Sequence, residues 1–235
     1  MKYAIIAAGE GSRLAAEGIS EPKPLVQVAG ECLIDRLIRI FMDNGADGIV
    51  VICNDRTPLV AQHLATLQHS GLSGRSLPLQ YVVKSTPSSM HSFFEISRYL
   101  SGSPFVMTTV DIIFSEEEFG EYIRYFRQSE ADGVMGVTEY VDDECPLWVA
   151  TDGQQNITQF ADGHGQCRYV SGGIYGLTPT VLPTLSQCVA RGESRMRNFQ
   201  RALLADGLRL KAWSFSTVFD VDHAADIRKA ENFLI

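Results

Sequence analysis

The residues that could do chemistry appear first near the amino terminus, where two glycines flank a glutamate and precede a serine and an arginine. This segment, Gly9 to Arg13, comes directly after an apolar run from Tyr3 to Ala8. Glycines let the backbone turn tightly and point N–H groups at an anion, and an arginine adds a planar fork of donors. The segment is therefore a candidate phosphate-binding loop.

A single lysine is held between two prolines later on the same predicted loop. Lys23 lies twelve residues beyond Gly11, between Pro22 and Pro24, and just before an apolar run that ends at Gly30. Proline fixes φ and removes a backbone donor, so the backbone of this lysine is stiffly placed. A lone lysine is usually solvated, but one held this way is better placed to meet a phosphate.

The glycine loop departs from two common nucleotide-binding motifs. In a GxGxxG dinucleotide fingerprint the third glycine would stand where this chain has Leu14, and no Gly-Lys-Ser/Thr follows as a Walker A loop requires. Asp55, near the end of the second predicted strand, is the acidic residue that a dehydrogenase would use. The missing third glycine makes the dehydrogenase interpretation weak.

Three aspartates are candidates for holding a divalent cation. Asp111 follows the apolar run from Pro104 to Val110, at the carboxyl end of a predicted buried strand. Asp220 and Asp222 alternate, so in a strand their side chains would face the same side and could share one ion. Alternatively, one of these two aspartates could cap the last helix.

These residues need a framework that brings distant parts of the chain together, and the order of the predicted elements supplies one. Apolar runs typical of buried strands alternate four times with helical patterns, up to the helix that carries Phe126. This alternation is typical of a doubly wound α/β sheet. In such a sheet ligands bind beyond the carboxyl ends of the strands, where the glycine loop and Asp111 would lie.

The alternation of predicted strands and helices stops between about residues 132 and 177, and we expect this stretch to be an antiparallel insertion. It contains four short predicted strands, at 133–140, 147–151, 156–160 and 169–177. The end of the chain returns to alternation, with a helix near 195–205, a strand at 208–215 and a helix through Ile235. No repeat or linker is seen, so residues 1–235 are expected to fold as a single domain.

The composition excludes several classes of protein. The chain has 235 residues, 20 Lys and Arg against 28 Asp and Glu, a formal charge of −8 and a pI near 5.1. Binding to nucleic acid through many backbone phosphates needs a net basic surface, so nucleic acid is not an expected partner. No apolar run approaches the roughly 18 residues that span a bilayer. Five scattered cysteines predict neither a zinc site nor disulfides, so a reducing cytoplasm is the expected location.

The glycine loop and the proline-bracketed lysine together resemble the signature of the sugar-phosphate nucleotidylyltransferase family. The stretches AAGEGSR, from Ala7 to Arg13, and PKPLVQVAG, from Pro22 to Gly30, carry the resemblance. Similar segments follow in family order, YVVKSTPSSM at 81–90, SGGIY at 171–175 and DVD at 220–222. The resemblance implies a three-layer α/β/α, Rossmann-like nucleotidyltransferase fold with a mixed, mostly parallel sheet.

The resemblance also implies a role for each segment. The NTP would be bound by Ala8, Gly9, Glu10, Gly11, Ser12, Arg13, Lys23, Lys84, Pro87, Ser88 and Ser89. Of these, Arg13 and Lys23 would be catalytic, because the arginine would hold the triphosphate and the lysine would meet the α-phosphate. Mg²⁺ would be held by Asp111, Asp220 and Asp222. The phosphorylated acceptor would be bound by Gly172, Gly173, Tyr175 and Arg168.

The sequence departs from the family pattern in the acceptor segment. Many sugar-1-phosphate members carry Glu-Lys-Pro, and its lysine binds the sugar phosphate, whereas this chain has Ala161, Asp162 and Gly163 there. Either another cation, such as Arg168, binds that phosphate, or the acceptor is not a hexose 1-phosphate. Choline phosphate and other small phosphorylated alcohols stay open as acceptors. Four nearby arginines are expected to form a solvated helix face, Arg191, Arg195, Arg197 and Arg201.

The implied reaction transfers a nucleoside monophosphate: an acceptor phosphate oxygen attacks the α-phosphorus of an NTP, and pyrophosphate leaves. A phosphate monoester is already ionised at neutral pH, so the reaction needs positioning and charge neutralisation rather than an activated side chain. We favour a Mg²⁺-dependent enzyme of this kind, monomeric or a small homo-oligomer, that acts on a sugar 1-phosphate. An inactive nucleotide sensor on the same fold stays open.

Overall fold

The predicted alternation of strands and helices is found in a computed structural model, which describes residues 1–142 and 144–234. The strands are β1 (Lys2–Ala7), β2 (Gln27–Val28), β3 (Glu31–Cys32), β4 (Gly48–Cys53), β5 (Leu79–Val83), β6 (Phe105–Thr109), β7 (Ile112–Phe114), β8 (Gly133–Thr138), β9 (Trp148–Thr151), β10 (Ile157–Ala161), β11 (Tyr169–Leu177), β12 (Leu210–Phe215) and β13 (Val218–Asp220). The α-helices are α1 (Ser12–Ala16), α2 (Leu33–Asp43), α3 (Pro58–Ser70), α4 (Ser89–Ile96), α5 (Glu116–Gln128), α6 (Leu182–Ala190), α7 (Met196–Ala205) and α8 (Ala224–Leu234).

Nine of these strands form one mixed sheet. Its centre is parallel: β1 lies between β4 and β6, and β5 follows β4 at the edge. Strand β11 then runs antiparallel to β6 and to β8, and β12 pairs in parallel with β8. The first residues of β11 also pair with β9, which continues to β10. The predicted mixed sheet with a parallel centre is confirmed.

Helices cover both faces of the sheet, and β1 shows how the sequence specifies this. Successive side chains of a strand point to opposite faces. Tyr3 and Ile5 join one buried cluster with α2, α3, α5 and α8, whereas Ala4 and Ile6 join a second with α4, α6 and α7. All four residues are buried. The chain therefore has the three layers that the resemblance implies.

The predicted antiparallel stretch continues this sheet. Its four expected strands are present as β8 to β11, and they pair antiparallel with one another. Strand β11 also aligns Leu177 with Phe105 of β6, so these strands share the central sheet instead of forming a separate one. The predicted last helix is α8, although Ile235 lies outside the described residues.

Two short ribbons that the sequence analysis did not predict lie beside the main sheet. Strands β2 and β3 form one, and β13 pairs antiparallel with β7 in the other. The second ribbon places Asp220 opposite Ile112, one residue beyond Asp111. It therefore brings the two predicted metal segments to the same end of the molecule. In the part of the chain that the structure describes, no helix is long and apolar enough to cross a membrane.

Candidate active site

A cleft of about 490 Å³ opens at the carboxyl ends of the central strands. Its size is typical of small-ligand sites, and its position is where an open α/β sheet binds ligands. The loops after β1, β5 and β6 all contribute to its wall. The lining includes Ala8, Gly9, Glu10, Gly11, Ser12, Arg13, Lys23, Pro87, Ser88, Ser89, Asp111 and Asp222. Most of the predicted nucleotide-binding residues are thus together in one cleft.

Gly11 is the residue directly before α1 and allows the glycine loop to turn there. Its φ is +63°, a left-handed conformation that residues with a Cβ adopt at a cost. A Cβ at this position would also stand 3.1 Å from the Cβ of Lys23. The second glycine of the loop is therefore needed both for the turn and for the close approach of the lysine segment.

The ammonium group of Lys23 joins three separate parts of the chain. Its Nζ donates a hydrogen bond to Asp111 and another, of 2.5 Å, to Asp222 Oδ1. Arg13 donates to the other oxygen of Asp222 across 2.8 Å. The side chain of Lys23 is only 9% exposed. We call Arg13, Lys23, Asp111 and Asp222 the Lys23 cluster.

Within the Lys23 cluster, the positive charge of Lys23 and the negative charge of Asp222 stabilise each other. Burial alone would lower the pKa of Lys23, but the adjacent Asp111 and Asp222 carboxylates outweigh burial and raise this pKa above its ordinary value. Burial alone would raise the pKa of Asp222, but Lys23 and Arg13 outweigh burial and lower it. The lysine is therefore a cation and Asp222 an anion at neutral pH.

The donor set around Asp111 fits a hard divalent cation. Its Oδ2 accepts from Lys23, whereas its Oδ1 is buried and has no hydrogen-bond partner among the described residues. Mg²⁺ prefers oxygen ligands and usually takes only one or two carboxylates, with water and substrate phosphates completing its shell. A buried carboxylate oxygen without a partner among the described residues, on a residue that lines the cleft, meets this requirement.

The three predicted metal aspartates do not form one group, which corrects the expectation that they share an ion. Within residues 1–142 and 144–234, no set of three His, Cys, Asp or Glu side chains is arranged to hold a metal. Strand β13 ends at Asp220, so the alternation that would align Asp220 with Asp222 stops there. Asp222 turns to Lys23 and Arg13, and Asp220 lines a second cleft instead.

Two other carboxylates, those of Asp226 and Glu17, hold the backbone at the start of the last helix. Asp226 accepts from the backbone N–H groups of Asp222 and His223, at 3.0 and 2.7 Å. Glu17, just after α1, accepts from Ala224 N at 2.7 Å. The start of α8 is thus held by other carboxylates, which leaves the Asp222 side chain available to the Lys23 cluster.

The structure separates Lys84 from the other nucleotide-binding residues predicted after β5. Ser88 caps α4, because its Oγ accepts from His91 N, and it lines the cleft with Pro87 and Ser89. Lys84 is absent from the lining of the cleft, because its Nζ donates to Glu95 of α4 across 2.6 Å. The structure therefore does not bring Lys84 to the cleft that contains the glycine loop.

A second cleft, of about 460 Å³, adjoins the first. The two share four lining residues, Arg13, Ser89, Thr109 and Asp222. Three predicted acceptor residues, Gly172, Gly173 and Tyr175, line the second cleft. The pairing of β11 with β8 shifts register between Ser171 and Ile174, so the two glycines form a bulge and also face the cleft.

Arg168, the fourth predicted acceptor residue, lies outside both clefts. Its guanidinium donates to Glu139, at 2.7 Å from Nη2, and lies over the ring of Tyr169. The structure instead brings residues that the sequence analysis missed to the second cleft: Tyr140, Asp142, Glu144, Arg195, Arg197, Gln200 and Phe219. Arg195 and Arg197 belong to the four arginines expected to be solvated.

The profile of the MobA-like NTP transferase domain matches residues 3–203. The chain belongs to this family. It is 23% identical to the UTP–glucose-1-phosphate uridylyltransferase AglF of Haloferax volcanii, over all of this chain and 96% of that protein. It is 27% identical to the bifunctional IPC transferase and DIPP synthase of Rubrobacter xylanophilus, over 99% of this chain but only 51% of that protein.

Two solved structures have the same fold as this chain. The inositol-1-phosphate CTP transferase of T. maritima aligns with a TM-score of 0.79 at 18% identity, over 98% of this chain and 94% of that one. A putative glucose-1-phosphate thymidylyltransferase of Bacillus anthracis aligns with a TM-score of 0.83 at 21% identity, over 99% and 94%. The predicted fold and the predicted class, a nucleotidyltransferase, are both confirmed.

Proposed function

We propose that this protein transfers a nucleoside monophosphate from an NTP to a phosphorylated polyhydroxy acceptor, such as a sugar 1-phosphate, and releases pyrophosphate. One observation carries the proposal: two clefts meet at Arg13 and Asp222, beside Lys23. An NTP in the first cleft and an acceptor in the second would bring their phosphates together at this boundary. The names of the relatives, which include glucose-1-phosphate and inositol-1-phosphate transferases, support the same reaction class.

The glycine loop would bind the triphosphate. Its backbone N–H groups and the Arg13 guanidinium would neutralise phosphate oxygens at the end of β1. Lys23 would meet the α-phosphate, where negative charge grows during transfer. Because Lys23 is buried and held by two carboxylates, its ammonium is positioned before substrate binds. A preorganised charge of this kind stabilises a transition state more than a mobile one.

The reaction needs no activated nucleophile. An ionised acceptor phosphate oxygen forms a new bond to the α-phosphorus, while the bond from this phosphorus to the bridging oxygen breaks. The electron pair of the broken bond leaves with pyrophosphate. The protein's contribution is to align the two phosphates and to shield their mutual repulsion. The side chains at the boundary, Arg13 and Lys23, are suited to both tasks.

We propose that Mg²⁺ assists this step, held by Asp111 through its unpartnered Oδ1 and by Asp222. The ion would supply charge neutralisation for the triphosphate and the leaving pyrophosphate. Lys23 already touches both carboxylates, so it would keep them oriented toward the cleft.

The second cleft favours a hydroxyl-rich acceptor over a cationic one. Tyr140, Asp142 and Phe219 line the cleft and would suit a quaternary ammonium group, but all three already contact the ammonium of Lys229, which is not itself part of the lining. Its Nζ lies 4.0 Å from the centre of the Phe219 ring and 5.0 Å from that of Tyr140, and it forms an ion pair with Asp142. The other carboxylates of the cleft can accept hydrogen bonds from sugar hydroxyls. This argues against choline phosphate as the acceptor.

The experiment is pyrophosphate release from each NTP with Mg²⁺, paired with glucose 1-phosphate, mannose 1-phosphate, inositol 1-phosphate and choline phosphate. We expect one NTP to react with at least one polyhydroxy acceptor and not with choline phosphate. If no pair reacts while NTP still binds, the transferase proposal fails and the nucleotide-sensor alternative gains. A thermal-shift measurement with each NTP separates these outcomes, because binding to the native state raises its apparent stability.

A further inference from the structure

The helix that follows the glycine loop, α1, is held against the segment that carries Asp222. Arg13 of α1 and Glu17, directly after it, are four residues apart, so both project from the same side of this helix. Arg13 Nη1 donates to Asp222 Oδ2 across 2.8 Å, and Glu17 Oε1 lies 2.6 Å from Nδ1 of the next residue, His223. Contacts that span 209 and 206 positions of the sequence therefore join these two segments side by side.

Glu17 uses both of its carboxylate oxygens in this junction. While Oε1 meets His223, Oε2 accepts from Ala224 N at 2.7 Å, at the start of α8. One side chain thus ties the end of α1 to the two residues that directly follow Asp222.

Helix α1 depends on such contacts for its placement. A helix of five residues is too short to be stable alone in water, and of these five, which the structure describes in full, only Leu14 is buried. The side chains of Glu17 and His223 are 39% and 42% exposed, and an ion pair this exposed adds little to the free energy of unfolding. The contact therefore bears on where α1 lies more than on whether the chain folds.

Glu17 can keep this contact while substrates occupy the site. Under the proposed function Arg13 would bind the triphosphate and Asp222 would hold Mg²⁺, so each would turn from the other toward a ligand. Glu17 lines neither cleft, so its carboxylate can stay on His223 and Ala224. This matters because a misplacement of about 1 Å in a catalytic site can cost about 10²-fold in rate.

We propose that Glu17 is a positioning residue, which acts through His223 and Ala224 to hold α1 and Asp222 in a fixed arrangement while NTP and Mg²⁺ bind. The proposal rests on the proposed function, because that function gives Arg13 and Asp222 their ligands. Glu17 itself would touch no substrate. Its effect is expected in kcat and in Mg²⁺-dependent binding of NTP, with little change in stability.

The first test is a double-mutant cycle on pyrophosphate release at saturating NTP, Mg²⁺ and acceptor. We expect Glu17→Ala and His223→Ala each to lower kcat about tenfold, and the double variant to fall no further than Glu17→Ala, since both changes remove one contact. In His223→Asn the side-chain Nδ2 can donate in place of Nδ1, so this variant should recover most of the lost kcat. Effects that multiply in the double variant, or no loss in Glu17→Ala, overturn the proposal.

His63→Ala is the matched control for this cycle. His63 forms an equivalent contact, with Nε2 at 2.6 Å from Asp35 Oδ1, and lines neither cleft. We expect His63→Ala to keep the kcat of wild type, and urea unfolding confirms that each variant is folded under the assay conditions. A loss of kcat in His63→Ala as large as that in Glu17→Ala would mean a general loss of stability and would overturn the proposal.

A binding measurement keeps the role of Glu17 separate from the reaction itself. ATP, CTP, GTP, UTP and dTTP are titrated calorimetrically into wild type, and the tightest of them into Glu17→Ala and His63→Ala, each with and without Mg²⁺ and without acceptor. We expect Mg²⁺ to tighten NTP binding to wild type and His63→Ala, and this gain to be about tenfold smaller in Glu17→Ala.

The binding result distinguishes failure of this proposal from failure of the proposed function. If wild type releases no pyrophosphate in any pairing but the gain from Mg²⁺ is smaller in Glu17→Ala, the transferase proposal fails and the role of Glu17 stands. Equal gains in wild type and Glu17→Ala, or no gain in wild type, overturn the role of Glu17.

Discussion

Gly11 lies against Lys23, so closely that a Cβ on the glycine would stand 3.1 Å from the Cβ of the lysine. The glycine loop follows β1, whereas Lys23 begins the short 3₁₀ turn Lys23–Leu25. Their contact fixes the distance between the loop that would bind the triphosphate and the cation that would meet the α-phosphate. The two halves of the sequence motif are thus a single structural unit.

Replacing Gly11 by alanine should disturb this unit. We expect Gly11→Ala to lower the free energy of unfolding by about 1–2 kcal/mol, because a Cβ is unfavourable at a φ of +63°. The same Cβ would press on Lys23, so pyrophosphate release should fall as well. Urea unfolding and the release assay measure the two effects. Gly102→Ala is the control, since a Cβ there meets nothing within 4 Å, and equal stability of the two variants would contradict the argument.

Removing Lys229 should leave two aromatic rings of the second cleft without the cation that they now contact. We expect Lys229→Leu to raise the use of choline phosphate relative to glucose 1-phosphate, because the rings of Tyr140 and Phe219 would then accept a ligand cation. Competition between the two acceptors at one NTP concentration measures the change. Lys211→Leu is the control, because Lys211 donates to Gln154 O, whereas Lys229 lies over the two rings. An unchanged preference in Lys229→Leu would show that the ammonium does not exclude cations.

His63 should make stability depend on pH. Its Nε2 lies 2.6 Å from Asp35 Oδ1, and the hydrogen bond to this carboxylate raises the pKa of His63 above its ordinary 6.5. The extra stability is fully present below the unfolded pKa and is lost as pH rises through the raised folded pKa. Wild type should therefore lose up to about 1 kcal/mol relative to His63→Gln between about pH 5.5 and 8.5. Urea unfolding at both pH values measures this difference, and parallel curves would refute it.

The sequence predicts the elements of this fold better than their pairing. The apolar run of β1 is a local signal, and so are Thr57 directly before Pro58 and Ser115 three residues before Glu118, which are typical of helix starts. In the structure both hydroxyl oxygens accept from a backbone N–H group two or three residues further on. By contrast, the β7–β13 ribbon joins residues about 100 positions apart, and each strand has only three residues. Strands that short carry no periodicity that a sequence pattern could reveal.

The residues of the candidate site can likewise be predicted where they lie in one short stretch of sequence. Gly11 and Lys23 belong to one motif, but the contacts of Lys23 with Asp111 and Asp222 span 88 and 199 positions. Lys84 was placed at the nucleotide by its position in a motif, and its partner Glu95 on α4 was not foreseen. Arg195 and Arg197 line the second cleft whereas Arg191 and Arg201 do not, a difference that no spacing rule can show.

The substitution Asp111→Asn tests the central claim, that the Lys23 cluster carries nucleotidyl transfer. Asparagine keeps the shape of the side chain but removes the charge that would hold Mg²⁺ and that now binds Lys23. The measurement is the rate of pyrophosphate release by wild type and variant at saturating NTP, Mg²⁺ and acceptor, with circular dichroism to confirm that both fold. We predict a fall in kcat of about 10²-fold or more. An unchanged kcat in the folded variant would contradict the account.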